Sequence, residues 1–354
     1  MKRSKLYLFG IIIMCLFSTC KNKYEKHSFS TLPAFKHKIK MDEHLVKEIE
    51  VVDKWQYPDI KLIDSFLIIL SRIPDEYFIK VYNSNNLDLI SEFAKVGKGP
   101  DEFISLASLH VNKQSGELYF IDFPRTKFYA YKLRDILNSK YAKPIYSFEL
   151  DKNLMPIFNY HVFENGNILL PTTIDSSLFT IIDKKGKVVE RIGSNKEPRN
   201  GLNDQHEFNY FYYKNLAYNP ELKVCIGTFN FIDKVLRYDI SKKDARYYVN
   251  SKYKIIKPIA SKGNIFNNYQ AYTLTIQQTK KYVFASYLGS DYIGPGLKVN
   301  HPTTIHVFDW NLISVAELLF KEPIISFAVD ENGYIYTYCN SEFNQYKIYK
   351  VNLN

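Results

Sequence analysis

Cysteine is nearly missing from this chain. Of 354 residues only 4 are Cys, at positions 15, 20, 225 and 339, and the first two belong to an N-terminal segment that does not read as part of the fold. Cys225 and Cys339 stand far apart in the repeat scheme below. A disulfide between them is not favoured, and both read as small buried apolar residues, so stability has to come from the core without staples. Long apolar runs are lacking too: after the first twenty residues nothing approaches 18 in a row, which argues against a further spanning helix. The short motifs that announce common chemistries are absent. There is no His-Glu-x-x-His, no Gly-x-Ser-x-Gly and no calcium loop of the EF-hand type, and neither Trp55 nor Trp310 has the context of a sialidase Asp-box. Basic residues are plentiful, with a net charge of +10, but they are scattered. No basic–aromatic cluster is dense enough for nucleic acid, which is not an expected partner; solvated surfaces account for the lysines, with weak attraction to anionic glycans or headgroups as the alternative.

What is present begins with an address. Lys2, Arg3 and Lys5 precede an apolar run from Leu6 to Phe17, then Ser18, Thr19 and Cys20. That is the layout of a secretory signal, and the run is too short to span a bilayer comfortably. A cysteine at its end suggests a lipobox, in which Cys20 is acylated and becomes the first residue. Phe17 and Thr19 depart from the usual Leu and Gly or Ala, and a chance cysteine after an ordinary signal is the alternative. Acyl chains would anchor the chain without a transmembrane helix. Removal of residues 1–19 takes the net charge from +10 to +7, because Lys2, Arg3 and Lys5 leave with no acidic residue. Residues 20–43 are polar, carry Pro33 and lack periodicity, which predicts a flexible tether.

The body, residues 44–354, is dense in Tyr (29) and Phe (25), types that fit a pleated, half-buried surface. Short apolar runs alternate with polar turns. Val111–Ile121, Val162–Leu170 and Ala328–Tyr336 each read as a hairpin whose glycine supplies a left-handed turn residue; weaker copies run Ile60–Leu70, Leu216–Gly227 and Leu274–Ala285. The second strands start near Phe66, Leu118, Ile168, Val224, Tyr282 and Tyr334, at spacings of 52, 50, 56, 58 and 52. Six copies of constant period indicate a repeat architecture. Each continues into a third strand and often a fourth, and four strands in about 50 residues make a propeller blade. The fold expected is all-β, a six-bladed β-propeller. Leu45–Val52 reads as the outer strand of the last blade, closing the ring and removing its open edges.

One loop goes beyond pattern. Gly97-Lys-Gly-Pro-Asp-Glu-Phe103 resembles the Gly-x-Gly-Pro-x-Glu-Phe signature of TolB-like and NHL-like six-bladed propeller lipoproteins of Bacteroidota, with Asp101 in place of the commoner Gly. The resemblance spans the whole layout and implies an exported protein, though not a defined role. It also bears on sorting. Lys21 and Lys23 depart from the acidic stretch typical of surface-exported lipoproteins in that group, which implies an outer-membrane protein facing the periplasm. In structural terms Gly97 and Gly99 allow left-handed turns, Pro100 fixes φ at the crossing between blades, Phe103 wedges between blades and Glu102 accepts backbone N–H groups. The functional alternative is that Lys98, Asp101 and Glu102 display charge at the channel rim.

Candidate binding residues are few. His110 and His161 each lie on the innermost strand just before the hairpin, in adjacent blades, where two imidazoles could face one ligand in the channel; local structural roles are the alternative. Arg125 offers a planar fork for an anion or a loop cap. His301 and His306, five apart on a strand, face opposite ways. Asp101 and Glu102 are too close in sequence to flank a glycosidic bond. With no complete catalytic set, no cofactor and no metal expected, the reading is a non-enzymatic binding or scaffold propeller, monomeric and lipid-anchored at Cys20, taking a protein or glycan partner. The alternative is a propeller lyase or hydrolase acting on polysaccharide or peptide.

Overall fold

The computed structural model describes residues 26–50, 58–155, 157, 159–171, 177–194, 214–230, 232–249, 271–290, 302–340 and 344–353. Residues 1–25, with Cys20, lie outside them, as do Val51, Val52, His206 and His301. Six antiparallel sheets succeed one another along the chain. Blade one is built from Asp59–Ile63, Phe66–Leu70, Tyr77–Asn83 and Leu89–Lys95, in that order from the axis outward. Blade two follows with Leu106–Asn112, Glu117–Asp122, Lys127–Lys132 and Tyr146–Glu149, and blade three with His161–Val162, Ile168–Pro171, Ser177–Ile182 and Val188–Ser194. Blade four has Lys214–Asn219, Val224–Phe229, Lys234–Asp239 and Asp244–Val249; blade five has Ala271–Gln278, Tyr282–Ser290, Thr304–Asp309 and Ser314–Leu319. Blade six has three strands of its own, Ile324–Val329, Tyr334–Asn340 and Asn344–Lys350, and takes its fourth from the N-terminal side: Leu45–Glu50 pairs antiparallel with Asn344–Lys350. The ring is thus closed by the strand the sequence nominates.

Local chemistry sets the hairpins. Gly116, Gly166 and Gly333 take φ of 63°, 80° and 83° between the first and second strands of blades two, three and six, and Asp64 and Lys223 do the same work in blades one and four at 50° and 53°. A side chain tolerates that region poorly unless it is short and polar or the turn demands it. The Asp330 carboxylate secures the blade-six hairpin by accepting the N–H groups of Asn332 and Tyr334, at 2.9 and 2.8 Å.

Each sheet buries both faces, because each is sandwiched between neighbours. The core accordingly divides into six apolar clusters, one for every adjacent pair of blades. Ile60, Leu67 and Tyr82 of blade one pack with Ala328, Tyr336 and Tyr346 of blade six, so the closing interface is as apolar as the others. Cys225 and Cys339 are both free and buried, in different clusters.

The segment expected to be a flexible tether differs. Lys26–Thr31 lies parallel to Asp244–Val249 as a fifth strand on blade four, and His37–Lys40 lies parallel to Ser314–Leu319 as a fifth strand on blade five. The reason is the outer edge of each blade, a row of unpaired N–H and C=O groups that a passing chain can satisfy. Phe29 stacks on Tyr247 with centroids 5.0 Å apart, Phe35 packs on Phe308, and Ser314 Oγ donates to the Pro33 carbonyl at 2.7 Å. Residues 26–50 therefore run as a belt over the outer edges of blades four, five and six.

Candidate functional site

A cavity of about 370 Å³ lies at the axis, lined by residues from all six blades. Its mouth is at the end of the ring where first and second strands join. Lys113, Glu164, Glu221, Lys280 and Glu331, all exposed and at or beside those hairpins, form a rim of mixed sign. The Glu331 carboxylate accepts the Lys280 backbone N–H.

The wall is built by the inner strands. In blade two the ladder slips between Ala107 and His110, and Ser108 within that bulge takes a left-handed φ of 62°. A bulge of this kind re-aims the side chains beyond it, and the kink is held by Ser108 Oγ donating to the Ile157 carbonyl of the next crossing at 2.6 Å. Beyond it Leu109 packs into the core between blades one and two, while His110 meets rings approaching from blade three: Tyr160 at 5.6 Å and His161 at 5.3 Å, centroid to centroid. His161 continues the arc to Tyr218 of blade four at 4.8 Å and to Phe163 at 5.5 Å. Rings from three blades thus line one side of the cavity without a gap.

Neither His110 nor His161 makes a hydrogen bond within the described residues. Burial holds the His110 pKa well below the ordinary histidine value, helped by its neighbours His161 and Lys61. Burial likewise brings His161 down to about 4. Both are neutral near pH 7, each with one ring nitrogen to donate and one to accept. Tyr160 Oη and Gln277 Nε2, on two other lining residues, are buried with no hydrogen-bond partner among the described residues. The neighbouring Gln278 is fully used: its amide donates to the Tyr218 carbonyl and accepts the Tyr218 N–H, both at 2.7 Å, tying the inner strands of blades four and five. On blade one Lys61 pairs with Asp59 at 3.0 Å. Among the described residues, no three His, Cys, Asp or Glu side chains converge in a way that would hold a metal ion.

The other four nominated residues stand elsewhere. Arg125 occupies the turn between the second and third strands of blade two, at the opposite end of the blade from the cavity's rim, and the 97–103 loop lies there with it. Arg125 Nη1 donates to the Glu102 carbonyl at 2.6 Å, and Nη2 to the Lys98 carbonyl at 3.2 Å. The Glu102 carboxylate accepts the Gly99 N–H at 2.9 Å, and Asp101 pairs with Lys143 at 2.8 Å. Phe103 is buried against Phe93 of blade one and Phe120 and Tyr129 of blade two. None of Lys98, Asp101, Glu102 or Arg125 lines the cavity, so the rim of charge expected from this loop is not part of that site, and three of the four hold the crossing together.

Sequence reasoning named the two histidines and missed Lys61, Tyr160, Tyr218 and Gln277. A signal existed for two of them. Lys61 and His110 each stand two residues before the end of their inner strand, and His161 and Gln277 one residue before the end of theirs. Applying the His110 argument to every blade would have found Lys61 and Gln277.

A closed ring of six four-stranded sheets around an axial cavity is a six-bladed β-propeller. Residues 35–332 match the TolB-like 6-blade propeller-like family, and the chain belongs to it. No curated protein matches the chain. Among solved structures it is similar to a putative exported protein from Bacteroides fragilis, with 14% identity, a TM-score of 0.58 and coverage of 91% of this chain and 98% of that one. It is also similar to a member of the DUF4221 family from Bacteroides vulgatus, with 12% identity, a TM-score of 0.60 and coverage of 86% and 97%. Virginiamycin B lyase from Staphylococcus aureus shares the fold at 13% identity and a TM-score of 0.50, over 86% of this chain and 99% of that one. Identities this low speak for the fold alone.

Proposed function

We propose that this chain is a non-enzymatic binding propeller of the cell envelope, lipid-anchored at Cys20, that takes its ligand in the axial cavity. The observation that carries this is the wall itself: six blades converge on one cavity, and the imidazoles of His110 and His161 that line it have no hydrogen-bond partner among the described residues. Polar side chains left free at the wall of a cavity formed by several blades are the kind of convergent groups that orient a bound ligand. The lyase or hydrolase alternative calls for an imidazole oriented by a carboxylate or set beside a nucleophile. Here each imidazole faces the other and aromatic rings instead. The envelope placement draws on the signal and lipobox layout, on the Lys21 and Lys23 context for a periplasm-facing outer-membrane position, and on the putative exported protein that shares the fold. The protein acts as a monomer without nucleic acid.

The test is affinity capture of the lipidated protein from envelope extract, with eluted small molecules identified by mass spectrometry, beside a variant carrying His110→Ala and His161→Ala. A compound retained by the wild type and lost from the variant is the expected result. Equal retention by both would move the site away from the cavity. Labelling with radioactive palmitate, abolished by Cys20→Ser, checks the anchor.

A further inference from the structure

The chemistry of the cavity narrows what it can hold. Its wall has hydrogen-bonding capacity but no uncommitted charge. Lys61 is paired with Asp59 at 3.0 Å, and both histidines are neutral near pH 7 because burial lowers their pKa. Formal charges of both signs sit at the exposed mouth, Lys113 and Lys280 beside Glu164, Glu221 and Glu331. Among the described residues, an anion entering the cavity would meet no free cation on the inner wall, and a cation would meet Lys61 together with Asp59. Either would lose its hydration without a compensating partner, a cost far larger than one hydrogen bond returns.

What the wall offers instead is a mixture of donors and acceptors set among apolar faces. A neutral imidazole presents one of each, and so does a hydroxyl group, so a polyol can match either tautomer of His110 and His161. The rings of Tyr160, His110, His161, Tyr218 and Phe163 follow one another at 4.8 to 5.6 Å, tilted or edge-on, which puts ring surface directly beside the imidazole nitrogens. A pyranose has that same pairing of an apolar C–H face with a rim of hydroxyls. The volume of about 370 Å³ lies in the range of small-molecule pockets.

We propose that the axial cavity takes a neutral saccharide, with hydroxyls bonded to His110 and His161 and a C–H face laid against the Phe163–Tyr218 side; this rests on the reading of the cavity as a ligand site. Tyr160 and Gln277, from the neighbouring inner segments, are further lining residues of the same wall. The mixed charge of the rim keeps highly charged glycans from being favoured at the entrance.

The experiment presents the full-length lipoprotein, in detergent, to an array of neutral, uronate-containing, sialylated and sulfated glycans, and follows retained glycans by calorimetry. The expected result is retention of neutral glycans, with affinity at least tenfold lower for the double variant His110→Ala, His161→Ala. Since that variant removes two packed rings, Gln277→Leu serves as a milder second change and should weaken binding several-fold with an unchanged melting temperature. Preferential binding of acidic glycans, lost in the double variant, would overturn the neutral-sugar inference and leave the cavity reading standing. Retention of no glycan at all would also overturn the inference, while the capture from envelope extract still decides the cavity reading. Neutral-glycan binding indifferent to all three substitutions would overturn both.

Discussion

His110 stands edge-on to His161 across the boundary between blades two and three, with ring centroids 5.3 Å apart and planes at 81°, and among the described residues no hydrogen bond ties either imidazole to the rest of the wall. Burial of this pair has a consequence for stability in acid.

Burial lowers the folded pKa of His161 to about 4, that of His306 to about 3, and that of His110 well below the ordinary value. For His306 burial comes first and Lys38 adds to it. Glu317 lies 3.7 Å from the His306 ring but is itself paired with Lys38 at 2.9 Å. The unfolded chain protonates these rings near pH 6.5 and the folded one does not. Between about pH 6.5 and 4 the unfolded state therefore binds more protons, and stability falls as pH falls. Urea unfolding should show a lower midpoint at pH 5 than at pH 7.5, and His161→Asn should remove on the order of 2 kcal/mol of that difference. An identical pH dependence in wild type and variant would refute the assignment.

At the other end of blade two the 97–103 loop is held by reciprocal bonds, and small changes should loosen it. A Cβ on Gly97 would come within 2.5 Å of the Glu102 carboxyl carbon, so Gly97→Ala must expel the carboxylate that caps the Gly99 N–H. Arg125→Ala removes the guanidinium that holds the Glu102 and Lys98 carbonyls and lies 3.4 Å from the fully buried carboxylate of Asp122. Burial already raises the Asp122 pKa against the backbone N–H groups of Ile104, Ser105 and Arg125 that favour its charge, and without the guanidinium only those backbone groups would offset it. Melting curves should show losses of about 1–3 kcal/mol for Gly97→Ala and about 3–5 kcal/mol for Arg125→Ala, with Arg125→Lys recovering only part, since an ammonium cannot span the fork. Neither change should alter ligand capture, because the loop is remote from the cavity. Loss of capture without loss of melting temperature would return this loop to the list of binding sites.

Much of the ring was legible because its determinants are local. Tyr, Phe and β-branched runs broken by turn residues recur at near-constant spacing, and five of the six proposed second-strand starts, Phe66, Ile168, Val224, Tyr282 and Tyr334, are the observed ones; in blade two the strand begins at Glu117, one residue before Leu118. Leu45–Glu50 was legible as a strand by its apolar content and by the missing fourth strand of blade six. The fifth strands of blades four and five were not, because edge pairing draws on backbone groups and leaves no hydrophobic period when the outer face is in water. The site divides in the same way. His110 and His161 could be read because their distance from a recognisable hairpin places them on inner strands. Lys61 and Gln277 were open to the same argument; Tyr160 was not, since it lies outside the strands and its place at the cavity is a property of the assembled ring. Arg125 and the 97–103 loop were visible as chemistry, but their partnership across more than twenty residues was not.

The belt gives a final prediction, because its parts do different jobs. Leu45–Glu50 is a working member of blade six. It covers the Asn344–Lys350 edge, Ile49 packs on the cluster shared with blade one, and Glu48 lies 3.6 Å from the largely buried Lys347 ammonium. Lys26–Thr31 and His37–Lys40 add only fifth strands to blades that are complete without them. Replacing residues 26–40 with Gly and Ser at equal length removes side-chain packing and strand propensity but leaves the ring closed, so the melting temperature should fall by a few degrees. The same replacement over residues 45–50 opens the ring between blades six and one and exposes a long edge. It should lower the melting temperature several-fold more and cause aggregation visible by light scattering. Comparable losses from the two replacements would mean that the belt acts as one unit and that closure does not depend on Leu45–Glu50 in particular.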